Sequence, residues 1–305
     1  MTELGGAEER DTSGVGVAVL AHTDSPQLRR LLRALHPLPV VVHWDRRSPA
    51  GPLRAIEQDA PPGVSFARRY ATAWGSLDSV RAELWAMRQL LEHPRVNHVA
   101  VVSGSDFPVV SPQGIATVLA RYEDRSLVKT FRLPFDRWGP SGGLDRYQRL
   151  HWRVGGRDLS LPVSRDLPEG LALAGAAVQK ILCRTHIEKI HHVVSRRPEI
   201  LRRWRRVWLP DETLIASLLL GDGLVCDDPE ELVNDLPWYI DWGAGGPSPR
   251  WLGRADLPAI RAERDERRAP GRTPLLFLRK VGTGHGDDLV DVLESDWLGL
   301  TPGQP

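Results

Sequence analysis

Short apolar runs alternating with helix-patterned segments constrain this chain more than any other feature. VGVAVLA (15–21), LPVVVHWD (38–45), VSFA (64–67) and HVAVVSG (98–104) read as strands. Between them, QLRRLLRALH repeats leucine at helical spacing behind the cap-forming HTDSP, and LDSVRAELWAMRQLLEH (77–93) is a long amphipathic helix. Strands alternating with helices predict a mostly parallel sheet covered on both faces. Such sheets bind ligands beyond the carboxyl ends of their strands. Three turns fall there, AHTDS, HWDRRS and SGSDFP, and they carry Asp24, Asp45 and Asp106. The sequence holds no GxGxxG and no Walker A pattern, which removes most of the weight from dinucleotide and P-loop readings.

Further along, SPQGIATVLARY begins a helix and LVKTFRL forms a strand. Residues 134–170 are rich in Gly, Arg and aromatics and read as a long structured loop. Helices are expected around 175–194 and 197–207, then a helix opening at Pro-Asp-Glu in LPDETLIASLLLG. A strand-poor stretch follows, RAERDERRAPGR (261–272) is a charged surface helix and turn, and LLFLRKV (275–281) is a strand. With no repeat and no linker, the expectation is one α/β domain over 15–300 behind a disordered tail of residues 1–14.

Bulk properties exclude some classes. A formal charge of +1 provides no field to draw the protein to nucleic acid or to a membrane surface. The run SRRPEILRRWRRVW is basic with interleaved Trp, but against that neutral background it reads as a solvated helix face. Cys183 and Cys226 make neither a disulfide framework nor a zinc pattern, and adjacent His191 and His192 point to different sides of a helix. No window approaches a membrane span, so a reducing, cytoplasmic enzyme or binding protein is expected. Lysine occurs only at 129, 180, 189 and 280, which makes each one conspicuous.

Two constellations carry chemistry. Asp211 and Glu212 suit a helix start, Asp as cap and Glu in the first turn. The same placement would keep a carboxylate ionised to accept a proton as general base, and both readings can hold if Asp211 caps while Glu212 works. Arg250, Arg254, Arg279 and Lys280 are the second set; fixed cations at a strand end can neutralise a departing diphosphate. SGSDFP supplies one Asp where a metal would call for a pair, so cations are the expected solution.

Taken in order, VAVLAHTDSPQLRRLLRAL, VVVHWDRRSP, ATAWGSLDSVRAELWAMRQLL, HVAVVSGSDFPVVSP, LPDETLIASLL and LLFLRKV resemble the core-2/I-branching family of β-1,6-N-acetylglucosaminyltransferases, which includes the peptide O-xylosyltransferases. The resemblance implies a GT-A-like, Rossmann-type fold and an inverting transferase that takes a UDP-sugar and no metal. It makes Glu212 the general base and Asp211 the helix cap beside it. It puts Lys280, Arg279 and Arg250 on the diphosphate, with Arg254 competing for the place of Arg250. It puts His22, Asp45, Trp74 and Asp106 on the nucleotide and donor side, and Arg146 and Trp242 on the acceptor and sugar. UDP-GlcNAc is the default donor, with UDP-xylose, UDP-glucose or a catalytically silent sugar-nucleotide or glycan binder as alternatives. The expected partners are that donor and a carbohydrate or small-molecule hydroxyl acceptor. Animal members carry a membrane anchor and disulfides, so this chain looks like a soluble bacterial relative. LALAGAAVQKIL replaces their tryptophan-bearing acceptor segment, and acceptor specificity is not carried over.

Overall fold

A computed structural model of the chain describes residues 14–154, 157–163, 165–243, 245–246 and 248–301. The expected tail lies outside the described residues except for Gly14. The first half follows the alternation: β1 (Val15–Ala21), α1 (Ser25–Leu35), β2 (Val40–Trp44), α2 (Ala50–Asp59), β3 (Val64–Phe66), α3 (Leu77–Leu90), β4 (His98–Ser103), β5 (Asp106–Pro108) and α4 (Pro112–Leu119). Next come β6 (Ser126–Leu127), β7 (Thr130–Arg132), α5 (Asp145–Gln148), β8 (Arg149–Val154), β9 (Arg157–Pro162), β10 (Ala174–Ala176) and β11 (Lys180–Cys183). The rest is α6 (Arg184–Arg196), α7 (Pro198–Trp204), α8 (Leu214–Leu219), β12 (Leu232–Val233), β13 (Trp238–Ile240), α9 (Leu257–Glu266), β14 (Phe277–Arg279) and α10 (Asp287–Val292).

The central sheet has seven strands in the order β12-β6-β11-β4-β1-β2-β3. All pairings are parallel except those of β11, which runs antiparallel to both β4 and β6. The two-residue side-chain period of the strands splits the core into two layers. Val15, Val17 and Val19 of β1 face Leu28, Leu31 and Leu35 of α1, while Ala18 faces the layer of Val80, Leu84 and Met87 from α3. At one edge of this arrangement β13, β14 and β5 form a small second sheet, in which Arg279 stands opposite Asp106.

The structure corrects several of the expected elements. Helix 175–194 begins only at Arg184, because the wholly buried Lys-Ile-Leu-Cys run is β11, in the middle of the sheet. A short apolar run does not by itself distinguish a buried strand from a helix turn. The 134–170 loop contains α5 and the β8–β9 hairpin. LVKTFRL divides into β6 and β7, and the DFP of SGSDFP is β5 instead of a turn.

The antiparallel entry of β11 puts its first residue, Lys180, beside Val101 near the carboxyl end of β4. There Lys180 Nζ lies 2.9 Å from Glu83 Oε1 of α3, and neither side chain touches solvent. Removing one partner of a buried pair strands the other charge at a cost of about 3–5 kcal/mol, whereas replacing both by apolar groups restores most of it. Lys180→Met should therefore unfold in urea with a stability loss of about that size. The double variant Glu83→Leu/Lys180→Met should recover more than half of the loss.

Candidate active site

Three corners meet at the carboxyl edge of the sheet. At the first, the chain leaving β2 turns at Asp45, which is buried. Its carboxylate accepts from the Arg47 N–H at 2.7 Å, the Arg47 guanidinium at 3.1 Å and the Thr72 hydroxyl at 2.9 Å. Burial pushes Asp45 up, but these donors outweigh it and hold the carboxyl below the usual range. Beside it His43 is driven down to about 4 by burial, so the neutral ring accepts the Tyr70 N–H at 2.9 Å. The Ser48 hydroxyl donates to the His22 carbonyl and so fastens this turn to the end of β1. A cavity of about 70 Å³, lined by His22, His43, Thr72 and Ser79 among others, opens here.

The second corner is cationic. Arg279 donates to Ser103 Oγ and lies 3.4 Å from Asp106 Oδ1, while the Ser103 N–H donates to Asp106 Oδ2. Asp106 has no exposed surface; burial pushes its carboxyl up, with Arg279 pulling the other way. Lys280 Nζ donates to Ser248 Oγ at 2.9 Å and sits 4.3 Å from the ring centre of Trp251. Burial and then Arg279 lower the Lys280 pKa. Arg250 is held between Asp256 and Asp241, both of which raise its pKa. Trp242, 53 % exposed, is on the loop that leads from Asp241 to Arg250. The Thr283 N–H, just past Lys280, donates to Asp24 Oδ2 at 2.8 Å, and Asp24 Oδ1 caps α1 through the Gln27 N–H. The turn after β1 is thereby tied to the cation-bearing strand.

The third corner carries the carboxylates. Leu209 adopts the left-handed conformation, φ 50°, which costs a non-glycine residue of order 1–3 kcal/mol and is characteristic of functional sites. The kink starts a 3-10 turn at Pro210–Glu212, and α8 begins only at Leu214, with Thr213 at its cap position. Asp211 therefore caps no helix, which corrects the expectation for it. Its Oδ1 is sealed from water and finds no donor among the described residues. Burial, and then the charge of Glu212, push Asp211 up to about 6. Glu212 is turned the other way: a quarter exposed, its Oε2 accepts from Arg146 Nη1. The Arg146 guanidinium stacks 3.6 Å from the centre of the Trp138 ring, an attractive arrangement that fixes its direction. The Trp208 N–H donates to the Arg146 carbonyl at 3.0 Å, and Trp74 meets Trp208 edge-on with ring centres 4.8 Å apart.

The sequence-derived residues thus fall into defined groups. Glu212 is with Arg146, Asp106 with Arg279, and Lys280 beside the Trp242–Arg250 loop; Asp45 stands with His22. Trp74 is joined through Trp208 to the segment that carries Glu212, although the resemblance put it on the nucleotide side. Sequence reading missed Glu83, Thr72, Ser103, Trp138 and Trp208. Lys180 was visible only as one of four lysines in an arginine-rich chain.

Comparison with known proteins bears on this geometry. A family model described as Core-2/I-Branching enzyme matches residues 17–262. A curated protein named Xylosyltransferase from Ciona intestinalis is 24 % identical over 307 residues, covering 92 % of this chain and 33 % of that protein. The chain thus spans a third of that relative's length. A Bacillus anthracis structure assigned as a glucose-1-phosphate thymidylyltransferase, solved with sucrose, aligns at 10 % identity over 60 % of this chain and 77 % of that one. Its TM-score against this chain is 0.28. The α/β, GT-A-like arrangement expected from sequence, a mostly parallel seven-stranded sheet flanked by helices, is the one found.

The Asp211 environment has a thermodynamic consequence. A carboxyl whose pKa is raised on folding contributes stability fully present below its unfolded value of 3.8 and lost as pH climbs through about 6. Asp211→Asn fixes the side chain in the neutral form. It should match wild type at pH 4 and exceed it at pH 8 by roughly 1–3 kcal/mol. Urea midpoints at the two pH values measure this; a destabilised variant at pH 8 would mean that the ionised carboxylate is well partnered.

Proposed function

We propose, from the premise that this chain belongs to the Core-2/I-Branching enzyme family, that it transfers a sugar from a UDP-sugar to an acceptor hydroxyl with inversion. The observation that carries this reading is the Glu212–Arg146 pair. The Arg146 guanidinium holds Glu212 Oε2 and aims the carboxylate while leaving part of it in solvent, where an acceptor can reach it. Glu212 takes the proton from the acceptor O–H, the oxygen attacks C1 of the donor sugar, and the bond from C1 to the diphosphate oxygen breaks. The anomeric centre inverts in this single displacement. Charge accumulating on UDP is met by Arg279, Lys280 and Arg250, oriented in advance by Asp106, Ser248, Asp241 and Asp256.

Metal independence is supported by the burial and engagement of Asp106: it has no exposed surface, and its oxygens already face the Ser103 N–H and Arg279. His22 and Asp45 take the nucleoside side and Trp242 the sugar. UDP-GlcNAc is the default donor, and the name of the Ciona relative favours UDP-xylose as the second reading. The acceptor is a carbohydrate or a small-molecule alcohol.

Glu212→Gln should lower kcat by about two to four orders of magnitude while UDP affinity stays within a few-fold of wild type. Steady-state kinetics and calorimetric UDP titration check the two halves. Lys280→Ala should cost about 100- to 1,000-fold in kcat through the lost leaving-group cation. If wild-type protein binds UDP but transfers nothing from UDP-GlcNAc, UDP-xylose or UDP-glucose to any alcohol offered, it is a sugar-nucleotide binder instead.

A further inference from the structure

We propose that His186, Cys226 and Glu231 form a zinc site that fastens the loop of residues 220–231 to the start of α6. No sequence pattern points to it, because one ligand comes from a helix and two from a loop some 40 residues later. The three donor atoms all lie within 4.8 Å of one another. His186 is buried, and its Nε2 is 3.0 Å from Glu231 Oε2 and 3.6 Å from Cys226 Sγ. With Zn–N near 2.0 Å and Zn–S near 2.3 Å, a tetrahedral ion holds neighbouring N and S about 3.6 Å apart and N and O about 3.4 Å apart. The N···S separation already has that value, the N···O edge has to open by a few tenths of an ångström, and the S···O edge, at most 4.8 Å, has to settle at ~3.6 Å when the ion binds.

A plain histidine–carboxylate hydrogen bond accounts for less. One ring nitrogen has one proton or one lone pair, yet two electron-rich groups converge on it. The opposite nitrogen, Nδ1, is 2.7 Å from Ser126 Oγ, which accepts the Cys183 N–H at 2.9 Å. A hydroxyl fixing Nδ1 orients Nε2 toward a metal, as outer-shell partners of zinc-bound histidines do. Glu231 is steadied by the Asp227 N–H at 3.2 Å, and Asp227 by Lys189 at 2.6 Å. An imidazole, a thiolate and a carboxylate suit zinc in preference to magnesium or calcium, and three protein ligands leave one tetrahedral position for water.

The site is remote from the transfer chemistry. Cys183, the residue before α6, pairs with His98 at the amino end of β4, whereas Asp106 and Lys180 lie toward its carboxyl end. The ion therefore serves the scaffold, tethering the loop that leads into edge strand β12, and the inference stands apart from the proposed reaction.

Cobalt(II) titration of the untagged, metal-stripped chain tests it. Wild type should show a thiolate-to-cobalt charge-transfer band with tetrahedral d–d absorption, saturating at one equivalent. Cys183 and Cys226 are the two cysteines of the chain, so the band has two conceivable sources. Cys226→Ser should abolish it and Cys183→Ser should keep it. Glu231→Gln, at a partly exposed position, should weaken cobalt affinity at least about tenfold and gives a second readout if Cys226→Ser does not fold. Absence of the band in wild type, its survival in Cys226→Ser, or unchanged affinity in Glu231→Gln would each overturn the proposal.

Discussion

The ammonium of Lys180 sits without water contact between the central sheet and α3, and the carboxylate corner of the site is built around it. Its bond to Glu83 ties the middle of the sheet to the helix that packs beneath the Pro210–Glu212 turn. The charge inventory there is unbalanced: Glu83 and Asp211 are two carboxyls against one ammonium, and each leaves an oxygen without a donor. Burial pushes both upward, and Lys180 draws both down. Arrangements of this kind are seldom made for stability, because desolvation consumes most of the Coulombic attraction. What the cluster does provide is a rigid, polar backing for the one carboxylate turned outward, Glu212. Asp211 and Glu212 are adjacent in sequence and opposite in environment, one carboxyl sealed inward and the other turned to solvent against Arg146.

In the β14 corner, charge is arranged with the opposite sign. Arg279, Lys280 and Arg250 are each held by a short polar contact, so their positions are set before any anion arrives. Preorganisation of this kind is what makes fixed cations effective against charge that develops during a reaction. The Asp24–Thr283 contact joins the turn after β1 to the far end of the chain, which links nucleotide-side and cation-side residues across the carboxyl edge. The proposed base and the proposed leaving-group cations thus come from distant parts of the sequence.

Much of this was legible in the sequence because it depends on local pattern. β1 occupies the seven residues its apolar run marks, and α1 and α3 follow their leucine and alanine spacing. Glu212, Arg146, Asp106, Arg279 and Lys280 were reachable through motif order. Contacts that join segments far apart in the chain were not. Asp211 satisfies every preference of a helix cap, yet a left-handed Leu209 two residues earlier starts a 3-10 turn in its place, and its Oδ1 is sealed inside. Lys180 pairs with a residue 97 positions away, and β11 is too short for its period to declare itself. The His186–Cys226–Glu231 cluster depends in the same way on where a loop lands against a helix.

The proposed single displacement, driven by Glu212 against a cation-held diphosphate, leaves its mark in the stereochemistry of the product. An α-linked UDP-sugar that supports turnover would be incubated with the protein and EDTA. Proton NMR would then follow the first sugar product formed, whether transferred to an alcohol or released to water before mutarotation. The β-anomer should appear first, with chelator present throughout. A product that appears first as the α-anomer would require two displacements or front-side attack, and Glu212 would not be the general base described here.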